Sequence, residues 1–367
     1  MRYKRVKIIL CVFFLIIMTG CDFYSKSENN HQPTQQTKSN KEVNYQYYYQ
    51  KLNNEEQKAY HKLYTGFINF QKEIVIEHIN LSKAKKIYQY ILMDYPSLFY
   101  IQTSFQYIQE DNKIKIKPSY LYNKDEVQKY NKQIEKETES VIQQANQQTD
   151  DFNKIKMIYQ YIIETVHYQN NKNDQNMLSA LIDNESVCAG YAKAYQYLLL
   201  KCGIKATYMS GVSKRNTSND NFHAWIMLCI DDDYYYSDVT WGDVEDKNMT
   251  HCCYSCFLMN SEDMLRCYQP DNGYEKTMKN EYNYYKSIDC YMEDYDRDLL
   301  SQAIQNALKN ETRIVEVKCA TESVYQKLKD NLQNSHLGYF LLKENHCYDG
   351  KLICSWRDSL RVVEFCF

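Results

Sequence analysis

Near the middle of the chain a cysteine stands where an apolar helical repeat begins. Glu185-Ser186-Val187-Cys188-Ala189-Gly190-Tyr191-Ala192 runs on into Ala194, Tyr195, Tyr197, Leu198, Leu199 and Leu200. That periodicity predicts a helix with a buried face, and Gly203, just past Cys202, is the residue type that closes a helix in a left-handed turn. Cys188 is thereby placed in the first turn. Unpaired N–H groups and the positive end of the helix dipole stabilise an anion at that position, and the thiolate is the nucleophilic form of cysteine.

Two residues of matching chemistry follow. His223 lies in Asn221-Phe222-His223-Ala224-Trp225 and Asp238 in Tyr236-Ser237-Asp238-Val239-Thr240-Trp241. The runs from Phe222 to Ile230 and from Tyr234 to Trp241 read as strands, and Asp231-Asp232-Asp233 is a polar turn between them. An antiparallel hairpin of this kind brings His223 beside Asp238, so that the carboxylate orients the imidazole while the imidazole faces the thiol.

These three blocks, in the order Cys, His, Asp, resemble the transglutaminase-like superfamily: a cysteine at a helix start, a His-Ala-Trp strand and an Asp-x-Thr-Trp strand. Ile163 to Tyr168 resembles the family's helix end before the active-site loop, and Cys202-Gly203-Ile204 its helix-to-strand turn. Ser186 departs from the pattern, standing where many members have glycine. The resemblance spans residues 150–262 and implies an α+β fold of papain-like type, with the Cys188 helix packed on a sheet carrying His223 and Asp238. It implies a cysteine-dependent amide hydrolase or acyl transferase (protease, deamidase or protein cross-linker) working through a thioester on a protein or peptide substrate. Cys188, His223 and Asp238 would then be catalytic, with no cofactor and no metal. The Cys188 N–H is the first candidate to stabilise the oxyanion, and Asn184 is either a second or a loop-capping residue. Trp225 and Trp241 are wall residues of the site or core aromatics. The alternative from a different class is a non-catalytic surface binding or scaffold protein that keeps the fold with its triad unused.

Other groups compete for chemical roles. His167 follows a helix predicted from Asp151 to Val166, where a histidine serves as a favourable partner for the dipole. His251-Cys252-Cys253-Tyr254-Ser255-Cys256 raises the question of zinc, but the alternation Cys252, Tyr254, Cys256 reads as one face of a strand continuing into Phe257 and Leu258. Asp231-Asp232-Asp233 lacks the spacing of a calcium loop. A net charge of −3 without a basic stripe gives no field for nucleic acid, which is not an expected partner.

At the N-terminus, Arg2, Lys4, Arg5 and Lys7 precede an apolar run from Ile8 to Met18 and then Thr19-Gly20-Cys21. This tripartite pattern is that of an export signal, and the run is too short to span a bilayer. Small residues directly before a cysteine resemble the bacterial lipoprotein signal, which implies that residues 1–21 are a signal peptide and that a lipidated Cys21 anchors the protein at the outer face of the cell membrane. A plain secretory signal or an uncleaved anchor is the alternative. Residues 22–45 read as a flexible tether. Of the fourteen cysteines, eleven remain once Cys11, Cys21 and Cys188 are set aside, and their spacing shows no disulfide framework.

Two further regions flank the core. Residues 46–149 predict helices starting at Asn53-Asn54-Glu55-Glu56 and at Asn80, strands from Phe99 to Tyr107 and from Lys113 to Tyr122, and a long polar helix from Lys124 to Gln147. Residues 263–367 are a linker and a small α+β region: helices from Leu299 to Leu308 and Glu322 to Leu332, and strands from Arg313 to Cys319, Tyr339 to Leu342 and Val362 to Phe367, with a further segment from Leu352 to Trp356. Neither region shows a catalytic constellation.

Overall fold

Asparagine and aspartate start most of the long helices, because their short side chains accept the N–H groups that the first turn leaves unpaired. Asn53 and Asn123 each form a reciprocal capping box, with Glu56 and Glu126, at the heads of helices Asn54–Ile68 and Lys124–Asn146. Asn80 and Asp150 cap Leu81–Asp94 and Asp151–Thr165 with a single side-chain bond each, from the N–H groups of Lys83 and Asn153. The computed structural model describes residues 42–215, 221–246, 249–335, 337–347 and 353–367. The signal-like segment, Cys21 and the tether up to residue 41 lie outside the described residues. No helix among the described residues is long and apolar enough to cross a membrane.

The N-terminal region packs its first helices over an antiparallel sheet ordered Ile74–Glu77, Lys113–Tyr120, Ile101–Glu110. The first of these strands, four residues long, was not foreseen. The tyrosine-rich stretch at 45–49 enters the core, with Tyr47 and Tyr48 buried. Buried Asp94 ties it down by accepting the backbone N–H groups of Tyr48 and Tyr49, both at 3.0 Å, and the Tyr60 hydroxyl at 2.7 Å.

The central layer sets helix Cys188–Lys201 against a four-stranded antiparallel sheet ordered Tyr268–Pro270, Lys205–Ser213, Phe222–Ile230, Asp233–Ser237, and helix Asp151–Thr165 packs on that helix. The hairpin turns at Asp231 and Asp232, with φ of 49° and 63°, a left-handed pair matched to the strand twist. Gly203, at φ 83°, closes the Cys188 helix. The expected strand through Trp241 ends at Ser237 instead. Asp238 accepts the N–H groups of Thr240 and Trp241, and this local capping turns Val239–Gly242 into a short helix. The edge strand Tyr268–Pro270 lies beyond residue 262, where the resemblance stops.

The expected strand face at Cys252, Tyr254 and Cys256 is also corrected. Met249–Cys252 pairs with Asp243–Asp246, but the chain then turns, with Leu258 at φ 48°. Cys253, Tyr254, Cys256 and Phe257 are all buried, because this segment is covered on both sides rather than on one. Among the described residues every cysteine is unpaired.

The C-terminal region forms a sheet ordered Tyr291–Met292, Ile314–Cys319, Val362–Cys366, Ile353–Arg357, flanked by helices Arg297–Lys309 and Glu322–Asn334. The run expected as a strand from Tyr339 to Leu342 is helical, Leu337–Glu344. Leu337, Gly338, Leu341 and Leu342 are buried at helical spacing while Tyr339 and Phe340 point outward. A buried charge cluster fastens this region to the core: Lys318 and Arg361 contact Asp263 at 2.8 and 3.1 Å, and Asp263 sits on helix Ser261–Cys267, directly before Tyr268.

Candidate active site

The Cys188 helix begins differently from its neighbours. Among the described residues, the six other helices of thirteen or more residues all have an Asn, Asp or Thr side chain accepting N-terminal N–H groups; here the cap position is Val187, whose side chain accepts none. The Val187 carbonyl takes the Gly190 and Tyr191 N–H groups, and Cys188 and Ala189, which line the adjoining cleft, have no side-chain cap for theirs. Gly190 keeps the turn close to the loop before it: a Cβ there would run into the Ser186 and Ser179 hydroxyls and come within 2.8 Å of the Asn176 carbonyl oxygen. Those two hydroxyls are hydrogen-bonded to each other at 2.6 Å. Ser186 thus supports the first turn of the helix.

The hairpin delivers the other two groups. His223, on Phe222–Ile230, places Nε2 2.7 Å from Oδ2 of Asp238, and Cys188 stands close enough to act on the imidazole's titration. With Nε2 committed to the carboxylate, Nδ1 is the nitrogen left for sulfur. Cys188 is half-buried, whereas His223 is 7% and Asp238 0% exposed. Burial by itself would lower the imidazole pKa. The charge of Asp238, the hydrogen bond with it and the nearby Cys188 outweigh it and raise the value to about 9. Asp238 moves the opposite way: burial opposes its ionisation, but His223 and the donors around it hold its pKa below the usual carboxylate range. The pair is an imidazolium and a carboxylate at neutral pH.

All of Asp238 is engaged. Oδ1 accepts the backbone N–H groups of Thr240 and Trp241 at 3.0 and 3.1 Å, and Oδ2 accepts the Tyr268 hydroxyl at 2.5 Å besides His223. Burial holds Tyr268 far above its ordinary pKa, so it remains a proton donor. Its ring stacks on His223 and on Trp225, with centroids 5.5 and 4.6 Å away. Sequence reasoning missed Tyr268. It comes thirty residues after Asp238 on the edge strand, within no motif, and only the strand pairing brings it back.

The cleft over Cys188 has a volume of about 580 Å³. Its rim carries Tyr168, Phe222 and Trp241, which are 53%, 59% and 36% exposed. Trp241 lies 6.0 Å from the His223 ring and Arg215 stacks on its other side at 5.1 Å. Trp225, by contrast, is buried behind Tyr268 and is a core residue. His167 is exposed, in a short parallel pairing with Glu185, and His223 is the histidine at the sulfur. Asn184 occupies a left-handed turn at φ 55°, where its carbonyl accepts the His167 N–H, a chain-reversal role.

Comparison with known proteins finds a family match in the central segment. Residues 139–241 match the model of the transglutaminase-like superfamily. Among solved structures, a transglutaminase is matched at 13% identity and a TM-score of 0.29, over 40% of this chain and 46% of that one. A candidate cysteine protease from Cytophaga hutchinsonii is matched at 13% identity and a TM-score of 0.27, over 41% of this chain and 65% of that one. The periplasmic domain of TgpA from Pseudomonas aeruginosa is matched at 13% identity and a TM-score of 0.24, over 35% of this chain and 54% of that one. The chain thus spans roughly half to two thirds of the length of these structures. A search of curated proteins found no match. Between residues 139 and 241, a stretch that contains Cys188, His223 and Asp238, this chain carries a transglutaminase-like core.

Proposed function

We propose that the protein is a cysteine-dependent amide hydrolase or acyl transferase acting on protein or peptide substrates through a thioester. The single observation that carries this reading is the contact chain from Cys188 to His223 to Asp238, with the imidazole held protonated at neutral pH.

In this mechanism the Cys188 thiolate attacks a carboxamide carbon, and the carbonyl π-bond electrons move onto oxygen. The N–H groups of Cys188 and Ala189, uncapped at the helix start, receive that oxyanion. His223 gives its proton to the departing amine or ammonia as the C–N bond breaks, leaving the thioester and a neutral imidazole. Water or an amine then attacks the thioester while His223 takes up its proton, and the thiolate leaves. Asp238 stays ionised throughout and orients the ring.

The same reading places the enzyme outside the cytoplasm, tethered through a lipidated Cys21. The charged, apolar and small-residue blocks that precede this cysteine support it. The experiment is to incubate a soluble form, residues 22–367, and its Cys188→Ala variant with glutamine-containing peptides and casein while following ammonia release, cleavage and amine incorporation. Product from the wild type alone is expected. Equal signals from both proteins, together with a Cys188 alkylation rate like that of a free thiol, would remove the enzymatic reading and leave a scaffold.

A further inference from the structure

A second groove, of about 220 Å³, opens where the N-terminal region meets the core. Leu92, Phe99 and Thr103 line it, together with two lysines, Lys172 and Lys193. Gln175 lines both this groove and the catalytic cleft, so the two share a wall. Lys193 lies on the Cys188 helix. Its ammonium donates to the Gln175 carbonyl at 3.0 Å and stands 5.5 Å from the centre of the Tyr208 ring, and Tyr208 itself lines the catalytic cleft.

Three observations bear on what fits there. Neither lysine has an ion-pair partner among the described residues, so this end of the groove carries positive charge without a counter-ion. The cleft end is lined instead by Asp174 and Asp243, and no lysine or arginine lines it among the described residues. Finally, strand Ile101–Glu110 is the edge of its sheet, and its register shifts between Ile101 and Phe105, which leaves Gln102 to Ser104 outside the ladder beside the groove. An edge of this kind accepts an extended chain by backbone pairing.

We propose that this groove is an exosite for the substrate: it holds an extended stretch of polypeptide carrying an acidic side chain next to an apolar one, with the carboxylate between Lys172 and Lys193 and the apolar side chain on Leu92 and Phe99. The N-terminal region then selects substrates that the thiol processes. The inference rests on the thiol-enzyme reading for its purpose but not for its test.

That test uses binding to the Cys188→Ala form of residues 22–367, where no chemistry intervenes. The probes are fluorescent decapeptides with a central glutamine and a Glu-Leu pair at stepped distances on either side, each compared with its Gln-Leu isostere. At one spacing the Glu-Leu peptide is expected to bind about five- to tenfold more tightly than its isostere. Lys172→Glu, at an exposed position, and Lys193→Gln should each erase most of that preference while the melting temperature stays near that of the parent. Equal binding of Glu-Leu and Gln-Leu at all spacings, no binding of either, or a preference that survives both substitutions overturns the exosite. Turnover without any acidic preference would remove the exosite and keep the enzyme, whereas acidic preference in a protein with an unreactive Cys188 would do the reverse.

Discussion

Tyr268 donates its hydroxyl hydrogen to Oδ2 of Asp238 at 2.5 Å, the same oxygen that binds His223. The tyrosine ring also covers the face of the imidazole. It touches no substrate-facing surface, so it acts as a positioning residue for the histidine.

Tyr268→Phe keeps the stacking and removes the hydrogen bond. The expected result is a fall in kcat of about tenfold with KM little changed, and a loss of about 1–2 kcal/mol in unfolding free energy, since Oδ2 keeps its bond to His223. Steady-state kinetics and urea melts check both. Unchanged kcat would show that Tyr268 only fills space.

The His223 and Asp238 pair makes stability depend on pH in a stated direction. His223 rises from 6.5 in the unfolded chain to about 9 in the fold, so its contribution is complete below pH 6.5 and fades as pH climbs through 9. Asp238 has a lowered pKa, so its contribution is present above the ordinary carboxylate range and fades as pH falls through its folded value. Unfolding free energies of the wild type and His223→Gln, measured from pH 5 to 10, should differ by a few kcal/mol at pH 6 and converge above pH 9.

Cys188 should be alkylated by iodoacetamide at pH 6 at least about tenfold faster in the wild type than in His223→Ala, because the imidazolium that accompanies the thiolate is gone in the variant. The buried cysteines, such as Cys202, Cys256 and Cys319, should stay unmodified over the same time. Mass spectrometry of peptide digests separates the sites.

Gly190→Ala introduces a methyl against the Ser186 and Ser179 hydroxyls and the Asn176 carbonyl. Backbone must move to admit it. A loss of about 1–3 kcal/mol is expected, with a larger proportional drop in Cys188 alkylation than stability alone explains, since the shifted turn carries the sulfur. Thermal melts and the alkylation assay measure the two effects.

Asp263 is 3% exposed and neutralises Lys318 and Arg361 from the C-terminal region. Asp263→Leu removes the carboxylate at Lys318 and leaves Arg361 only Glu262, at 3.7 Å, and should cost about 3–5 kcal/mol. The next residues along lead to Tyr268, so activity should fall together with stability as denaturant is added, rather than after it.

The elements that hold the site were legible in the sequence for identifiable reasons. Asn53 and Asn80 mark helix starts by local hydrogen bonding, and the aspartates from 231 to 233 mark a turn between two strands. Cys188, His223 and Asp238 stood out because each lies in a short block of its own and the hairpin between the last two is local. What was hidden depends on non-local pairing. The Tyr268 strand shows itself only against Lys205–Ser213, and the groove around Lys193 only once the N-terminal sheet is docked. The run at Leu337–Glu344 was misread because a short apolar stretch fits either period, and burial at Leu337, Leu341 and Leu342 decides it.

Val187 gives the bare helix start a thermodynamic meaning. An aspartate or serine in its place would add the side-chain acceptor that this helix start lacks and make the protein harder to unfold. In the proposed mechanism it would also fill the seat of the reacting oxygen. Durability and turnover are therefore set against each other at one side chain, and a hardier version of this protein that keeps its catalytic speed must draw its extra resilience from somewhere other than residue 187.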